Sequence, residues 1–261
     1  MSSSKKIALI TGATSGIGKE MALLHAAAGG DLVAVARNQV ALNDLKKEIE
    51  SKYKVVVTCF AKDLANTASP QELYDAVKAA GIEVDYLINN AGFGGTGKFH
   101  ERKWNDDLAM INLNIIALTA LTRFFLPDFV RRNSGKILNV SSTAGMVPGP
   151  LQAVYYATKA YVTSFSNAIW EELSDTKVTV TALLPGATAT QFAKVSGLEK
   201  SKLFSEVAQA SDVAKAGYQG MLDGELNVIA GVSLSRRISL AALPFAPTRM
   251  VLKQVRAMQE T

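Results

Sequence analysis

The sequence has 261 residues, of which 48% are hydrophobic and 20% are charged. This balance is typical of a chain that fills a sizeable core, and it argues against an intrinsically disordered protein. The formal net charge is +5, but no dense run of basic residues is interleaved with aromatic ones, so nucleic acid is not an expected partner. The single cysteine, Cys59, excludes an internal disulfide and a cysteine-rich metal site.

Targeting signals are not evident in the chain. The first apolar run, residues 7–10, is too short for the core of a signal peptide. No apolar stretch approaches the roughly 20 residues that a membrane span requires. We therefore expect a soluble cytoplasmic protein without a membrane span.

Short aliphatic or β-branched runs alternate along the chain with longer segments of helical periodicity. The predicted strands are residues 6–11, 31–36, 54–60, 85–89, 135–141, 177–184 and 226–230. The predicted helices are residues 17–29, 40–53, 70–80, 104–132, 153–174 and 211–222. The strands are apolar throughout, as in a parallel sheet that is covered on both faces. This order predicts one α/β domain with a doubly wound parallel sheet of about seven strands and helices on both faces.

Two segments lie outside this alternation. Residues 188–205 mix glycine, lysine and serine with apolar residues, and we expect a mobile flap over a substrate. Residues 233–261 are basic and apolar, and Pro244 and Pro247 interrupt them, so they predict two short amphipathic helices. We expect this tail to pack on its own domain, while a weak contact with a membrane surface or another subunit stays open.

A glycine-rich turn separates the first predicted strand from the first helix. Its spacing is G-x-x-x-G-x-G, and its candidate cofactor-binding residues are Gly12, Thr14, Ser15, Gly16, Ile17 and Gly18. Glycines let the backbone turn sharply and approach a pyrophosphate closely, and the helix N-terminus offers free N–H groups to the phosphates. The turn therefore predicts a dinucleotide site.

The end of the second predicted strand indicates which dinucleotide is bound. An NAD site usually has a carboxylate there, which holds the ribose 2′-hydroxyl. This strand ends instead in Arg37 and Asn38. Because a guanidinium grips a 2′-phosphate with charge-assisted hydrogen bonds, Arg37 predicts NADP(H), and NAD(H) is less favoured.

Several motifs follow in a fixed order along the chain. They are Thr11–Gly18, Asp63-Leu64, Asn89–Gly92, Asn114, Ser142, Tyr155-x-x-x-Lys159 and Pro185-Gly186-x-x-x-Thr190. Together they resemble the short-chain dehydrogenase/reductase family, with its Rossmann-like fold, over residues 6 to about 190. The resemblance implies a single-domain oxidoreductase of the broad ketone and 3-oxoacyl reductase branch, which associates as a homodimer or homotetramer.

The chemistry of carbonyl reduction explains the tyrosine and the lysine. Hydride addition leaves charge on the carbonyl oxygen, so a proton must arrive there. Tyr155 can donate it, and Lys159, one helical turn away, is expected to lower the pKa of the phenol. Tyr156 has Ala160 at the corresponding position, so we expect it to be a packing residue.

The family resemblance also implies roles for other residues. Ser142 would hydrogen bond the substrate oxygen, Asn114 would support a proton relay through water, and Lys159 would hold the nicotinamide ribose. Further cofactor contacts implied by the motifs are Asp63, Leu64, Asn90, Ala91, Gly92, Pro185, Gly186, Thr188 and Thr190.

The predicted substrate is a ketone or aldehyde with a hydrophobic body, or the matching alcohol. Met146 and Phe192 are the candidate substrate-binding residues, within segments 144–151 and 188–205, and the tail is a further candidate for the pocket wall. Two other functions stay open: an NADP-binding epimerase or dehydratase, and a non-catalytic NADP-sensing protein. His25 and His100 lack partners at metal-ligand spacing, so no metal is expected.

Overall fold

A computed structural model of the chain describes residues 5–199, 201, 204, 207–243 and 246–260. Its centre is one parallel seven-stranded sheet in the order β3-β2-β1-β4-β5-β6-β7. The strands are β1 (Ile7–Thr11), β2 (Asp31–Ala36), β3 (Val57–Ala61), β4 (Tyr86–Asn89), β5 (Gly135–Val140), β6 (Val178–Pro185) and β7 (Asn227–Ala230). All seven predicted strands are therefore present, and the predicted fold class is confirmed.

Helices connect the successive strands, and two more follow β7. They are α1 (Gly16–Ala27), α2 (Gln39–Tyr53), α3 (Ser69–Ala79), α4 (Trp104–Ile111), α5 (Leu118–Arg132), α6 (Ala153–Glu172), α7 (Phe192–Ser196), α8 (Ala210–Asp223), α9 (Leu234–Ala242) and α10 (Thr248–Gln259). A π-helical turn, Asn112–Ala117, joins α4 to α5, and a 3₁₀ turn, Thr143–Met146, follows β5.

The sheet is apolar on both faces because each face is covered by helices. Successive strand residues alternate between the two sides: Ile10 packs with α1, α2 and α8, whereas Leu9 packs with α3, α5 and α6. In β5, Leu138 and Ile137 divide in the same way. Each residue pair thus contributes to two cores, which explains why the strand sequences do not alternate in polarity.

The order of the strands creates a cleft. β1 pairs with β2 on one side and with β4 on the other, so the chain reverses its winding direction between β1 and β4. Crevices beyond the carboxyl ends of strands at such a switch point are the usual ligand sites of this architecture. The cleft is therefore expected beside the turn that follows Thr11.

One predicted boundary was wrong for a local reason, and one predicted helix contains a turn that was not predicted. The third strand was predicted to begin at residue 54, but Lys54 has a φ of 58° and closes α2 by donating its N–H to the Glu50 oxygen. The strand begins three residues later, at Val57. The predicted helix over residues 104–132 is present but contains the π-helical turn Asn112–Ala117, which periodicity does not reveal.

The same long helix bears on the question of a membrane. Within the described part of the chain, Trp104–Arg132 is long and apolar enough to cross a membrane, a candidate span that the sequence analysis did not predict. However, Leu121, Phe125 and Phe129 of this helix are buried against the sheet. A core helix passes the same test of length and composition, so this is only a weak indication of a span.

The tail forms the two predicted short helices, α9 and α10. Val251 and Val255 of α10 are buried in a third apolar cluster with Met110, Tyr155 and Tyr156. The tail therefore packs on its own domain, next to the tyrosine that the sequence singled out as catalytic.

Candidate active site

The glycine-rich turn forms one end of a cavity of about 780 Å³. Gly12 and Gly16 have φ values of 66° and 53°, a left-handed conformation that suits glycine. A Cβ on Gly16 would lie 2.9 Å from a methyl carbon of Thr190, so the space between α1 and the segment after β6 is narrow. The side chain of Ser15 makes no capping hydrogen bond to α1, which leaves the first N–H groups of the helix available to phosphate.

Gly18 differs from the other predicted residues of this turn. Gly12, Thr14, Ser15, Gly16 and Ile17 line the cavity, but Gly18 does not. A Cβ on Gly18 would lie 2.4 Å from both Asn90 Nδ2 and the Gly12 oxygen. Gly18 therefore serves close packing beneath the turn, and its direct contact with a cofactor stays a prediction.

Residues beyond the carboxyl ends of β2 and β3 line the cavity next to the glycine turn, and three of them are charged. Arg37, Lys62, Asp63 and Leu64 all face it. The Lys62 amine is 2.6 Å from a Glu72 oxygen, whereas Arg37 is exposed and forms no ion pair with any residue that the structure describes. The glycine turn and these cations fit a phosphate-rich dinucleotide.

Asn90 links the segment after β4 to the end of β1 and to the glycine turn. Its Nδ2 donates to the Thr11 oxygen at 2.9 Å and to the Gly12 oxygen at 3.3 Å. The Thr11 hydroxyl accepts the backbone N–H groups of Asn90 and Ala91, each at 3.0 Å. Asn90, Ala91 and Gly92 line the cavity as predicted, and Asn90 additionally fixes the shape of the glycine turn.

Tyr155 and Lys159 lie in the middle of the cavity on α6. Tyr155 is 8% exposed and Lys159 is 5% exposed. Lys159 Nζ donates to the Val140 oxygen at 2.8 Å and lies 5.9 Å from the centre of the Tyr155 ring. Ser142 faces the Tyr155 phenol, and its Oγ accepts the N–H of Ala144 at 3.1 Å. The structure thus brings together three of the four predicted catalytic side chains.

Burial governs the protonation of both groups on α6. It raises the pKa of the Tyr155 phenol far above its ordinary value, and the Ser142 hydroxyl only partly offsets this effect. Burial also lowers the pKa of Lys159 to about 8. Burial therefore outweighs any lowering of the phenol pKa by the charge of Lys159, whose amine is held by the Val140 main chain. The phenol is a neutral proton donor.

Asn114, the fourth predicted catalytic residue, occupies the π-helical turn and does not line the cavity. Its Nδ2 donates to the Phe93 oxygen at 2.9 Å and to Thr158 Oγ1 at 3.1 Å, and its Oδ1 accepts the Phe93 N–H at 3.2 Å. The side-chain amide is therefore occupied in tying the segment after β4 to α6. A π-turn marks many functional sites, and this one positions Gly92, where a Cβ would lie 3.3 Å from Lys159 Nζ.

The end of β6 and the segment that follows it line one side of the cavity. Pro185, Gly186, Thr188 and Thr190 all line it, as predicted. Thr188 Oγ1 donates to the Gly186 oxygen at 2.9 Å, and Thr190 Oγ1 accepts the Phe192 N–H at 3.2 Å. These bonds fix the turn that leads into α7.

The outer part of the cavity is a mainly apolar pocket next to Tyr155. Phe192 lines it as predicted, with its ring centre 5.2 Å from that of Tyr155. Met146 does not line it, and Val147 faces the pocket instead, so substrate binding by Met146 stays a prediction. The other apolar lining residues are Val195, Leu198, Phe204, Leu240, Val255 and Met258.

The tail residues that form part of this pocket wall could not be named from the sequence. The tail, which was a further candidate for the pocket wall, contributes Arg236, Leu240, Val255 and Met258. The amphipathic pattern of α9 and α10 was the available signal, but it does not reveal which surface the apolar face covers. Gln152 and Tyr156 also line the cavity, and the Tyr156 hydroxyl accepts a hydrogen bond from Gln259 at 3.0 Å.

A glycine turn at a sheet switch point and a buried Tyr–Lys pair in one cleft define a dinucleotide-dependent oxidoreductase. Comparison with known proteins agrees with this class. The sequence model of the short chain dehydrogenase family matches residues 6–200. The chain therefore belongs to the short chain dehydrogenase family.

Individual relatives support the assignment. Human very-long-chain 3-oxoacyl-CoA reductase is 35% identical over 225 residues, which cover 84% of this chain and 71% of that protein. The NADP-dependent 3-hydroxy acid dehydrogenase of Schizosaccharomyces pombe is 36% identical over 192 residues, 73% of this chain and 74% of that one. A short-chain dehydrogenase from Sphingobium yanoikuyae, solved with NADPH, has a TM-score of 0.83 at 30% identity and 98% coverage of both chains.

Proposed function

We propose that the protein is an NADP(H)-dependent reductase of ketones with a long apolar body, with 3-oxoacyl compounds as the favoured class. One observation carries this proposal: the buried, protonated Tyr155 lies where the glycine-lined cleft meets the apolar pocket. A carbonyl beside this phenol would have its apolar chain next to Leu198, Leu240 and Val255. Two relatives are named for 3-oxoacyl-CoA and 3-hydroxy acid chemistry, which agrees with this class.

The reduced nicotinamide supplies a hydride when it is bound. The residues of the chain handle the substrate oxygen and its proton. Tyr155 donates its proton to that oxygen as negative charge builds there, and Ser142 donates a second hydrogen bond. The Lys159 ammonium, one helical turn away, favours the tyrosinate that remains. The apolar walls exclude water from this exchange.

The preference for NADP(H) is supported by the end of β2. Arg37 is exposed and faces the cavity, and no carboxylate occupies the tip of this strand. A guanidinium binds a 2′-phosphate with paired hydrogen bonds, whereas a carboxylate at this place would repel it. Asn90 and the N-terminus of α1 would hold the shape and the pyrophosphate end of the same site.

We also propose that the protein associates with itself through α4, α5 and α6. These helices carry exposed apolar residues, among them Trp104 at 62%, Ile116 at 43% and Tyr161 at 37% exposure. Such a row on neighbouring helices is costly to leave in water. Light scattering should find a dimer or tetramer, and Ile116→Asp should shift it toward the monomer; a monomeric wild type would contradict the proposal.

The reductase proposal is tested by following NADPH oxidation with a series of 3-oxoacyl thioesters and simple ketones. Tyr155→Phe should lower kcat by about 10²- to 10⁴-fold while NADPH still binds, because only the proton donor is removed. Tyr156→Phe is the matched control and should stay within a few-fold, since its hydroxyl is bonded to Gln259. Full activity of Tyr155→Phe, or no turnover of any ketone, would refute the proposal.

A further inference from the structure

Helix α9 forms one wall of the pocket and carries a cation toward its outer end. Arg236 and Leu240 are one helical turn apart and both line the cavity that contains Tyr155. Leu240 is 9% exposed, whereas Arg236 is exposed to solvent. The apolar pocket therefore runs from Tyr155 past Leu240 and ends at the guanidinium of Arg236.

The charges around the cavity are distributed unevenly. Of the described charged residues that line it, Arg37, Lys62 and Asp63 lie at the end beyond β2 and β3, and Lys159 lies in the centre. Arg236 is the charged residue on the pocket side, and no described acidic residue lines the cavity there. Arg236 forms no ion pair within the described ranges, whereas Arg102 and Arg256 are each paired with a carboxylate.

The charge of Arg236 also affects the pKa of a tyrosine inside the pocket. Burial raises the pKa of the Tyr156 phenol to about 12, and the charge of Arg236 opposes that rise. Tyr156 neighbours Tyr155, with ring centres 6.1 Å apart. Arg236 is therefore close enough to influence groups beside the reacting centre and is directed toward the pocket.

We propose that Arg236 is an anion-binding subsite, which selects substrates whose negatively charged group is separated from the reacting carbonyl by the segment that lies along the pocket. This inference rests on the proposed reductase function. The carbonyl would lie at Tyr155, the segment along the pocket would contact Leu240 and Met258, and the anion would pair with Arg236. A guanidinium binds both carboxylates and phosphates through paired, charge-assisted hydrogen bonds.

The anion has two possible sources with this shared chemistry. One is a phosphate on the thiol carrier of an acyl thioester, and the other is a carboxylate on the acyl chain itself. Matched substrates separate them. The coenzyme A thioester of a 3-oxoacyl group carries phosphates, the N-acetylcysteamine thioester of the same group is neutral, and a 3-oxoacyl N-acetylcysteamine thioester with a terminal carboxylate carries only that charge.

The experiment compares Arg236→Gln with the wild type on these three thioesters. Arg237→Gln is the matched control, because Arg237 is exposed on the same helix and does not line the cavity. We expect Arg236→Gln to raise KM about tenfold or more for one or both charged thioesters, with kcat nearly unchanged. The neutral thioester should be unaffected, and Arg237→Gln should change none of the three.

Each result decides the question. A rise for the coenzyme A thioester alone assigns a phosphate, and a rise for the terminal carboxylate alone assigns a carboxylate. Equal changes for neutral and charged thioesters, or no change at all, would overturn the subsite while leaving the reductase proposal intact. Failure of the wild type to reduce any of the three thioesters or a simple ketone would refute the reductase proposal instead. Calorimetric titration with a saturated acyl-coenzyme A supplies a readout without turnover, and Arg236→Gln should weaken its binding if phosphate is the ligand.

Discussion

The amine of Lys159 donates its hydrogen bond to the main-chain oxygen of Val140, at 2.8 Å, and not to the hydroxyl of Tyr155. The lysine is only 5% exposed, and burial lowers its pKa to about 8. A buried ammonium with one carbonyl partner destabilises the fold. Keeping this cation beside the phenol therefore lowers the stability of the fold, as is common at active sites.

This cost gives the stability of the protein a defined pH dependence. The folded-state pKa of Lys159 is about 8 and its ordinary value is 10.5. Between these values the unfolded chain binds more protons at this site, so the contribution of Lys159 to stability rises with pH. We expect Lys159→Met to be more stable than the wild type near pH 7, and this advantage should shrink by about 2–3 kcal/mol toward pH 10.

Urea unfolding at a series of pH values measures this difference. The comparison should stop near pH 10, because the raised pKa of Tyr155 makes the folded state bind more protons above that point. Lys194→Met serves as the control, since Lys194 is exposed on α7. A difference between Lys159→Met and the wild type that stays constant from pH 7 to pH 10 would contradict the assigned shift.

Arg37 should determine the choice of dinucleotide. Arg37→Asp replaces the cation at the tip of β2 with a carboxylate, which repels a 2′-phosphate and accepts a hydrogen bond from a 2′-hydroxyl. We expect the KM for NADPH to rise by about 10- to 100-fold and the KM for NADH to fall. Lys47→Asp makes the same change in net charge on the exposed side of α2, outside the cavity, and should leave both constants nearly unchanged. Parallel shifts in the two variants would show a general field effect and would refute the specific role.

Gly12 should tolerate no side chain for two reasons: its positive φ and the lack of space for a Cβ. Gly29 separates these reasons, because only the first applies to it. Both have a positive φ, 66° and 83°, so alanine is strained at either position. A Cβ on Gly12 would also lie 2.8 Å from Asn90 Nδ2, whereas a Cβ on Gly29 meets nothing within 4 Å. We expect Gly29→Ala to cost about 1 kcal/mol of stability with normal NADPH binding.

Gly12→Ala should cost more stability than Gly29→Ala and should weaken NADPH binding at least tenfold, since the new methyl displaces Asn90 from the Thr11 and Gly12 oxygens. Thermal unfolding and fluorescence titration with NADPH measure the two effects. Normal NADPH affinity in Gly12→Ala would show that the turn does not bind the dinucleotide.

The parts of the fold that depend on local sequence were predictable, and the parts that depend on distant contacts were not. The strands and the long helices follow from apolar runs and periodicity, and the motif spacing places Tyr155, Lys159 and Ser142 correctly. The hydrogen bond from Lys159 to the Val140 oxygen was not predicted, because the approach of that oxygen depends on how α6 packs on β5. The position of Leu240 and Met258 opposite Tyr155 depends on how the tail folds back, which periodicity cannot reveal.

Gln259 holds the tail against the rest of the domain through two hydrogen bonds. Gln259 is 2% exposed, and its amide accepts from Gln152 Nε2 at 2.9 Å and donates to the Tyr156 hydroxyl at 3.0 Å. Gln259→Leu leaves the Gln152 amide without this partner inside the protein, a loss of about 1–3 kcal/mol. Because Val255 and Met258 on the same helix line the pocket, we expect KM for long-chain 3-oxoacyl thioesters to rise several-fold.

A short ketone that does not reach α10 should keep its kinetic constants in Gln259→Leu. Gln254→Leu is the matched control, because Gln254 is exposed on the same helix, and it should change neither stability nor KM. Steady-state kinetics with a chain-length series and thermal unfolding measure both effects. If Gln259→Leu raised KM equally for short and long substrates, the tail would act on the reacting centre through Tyr156 and not as a wall for the acyl chain.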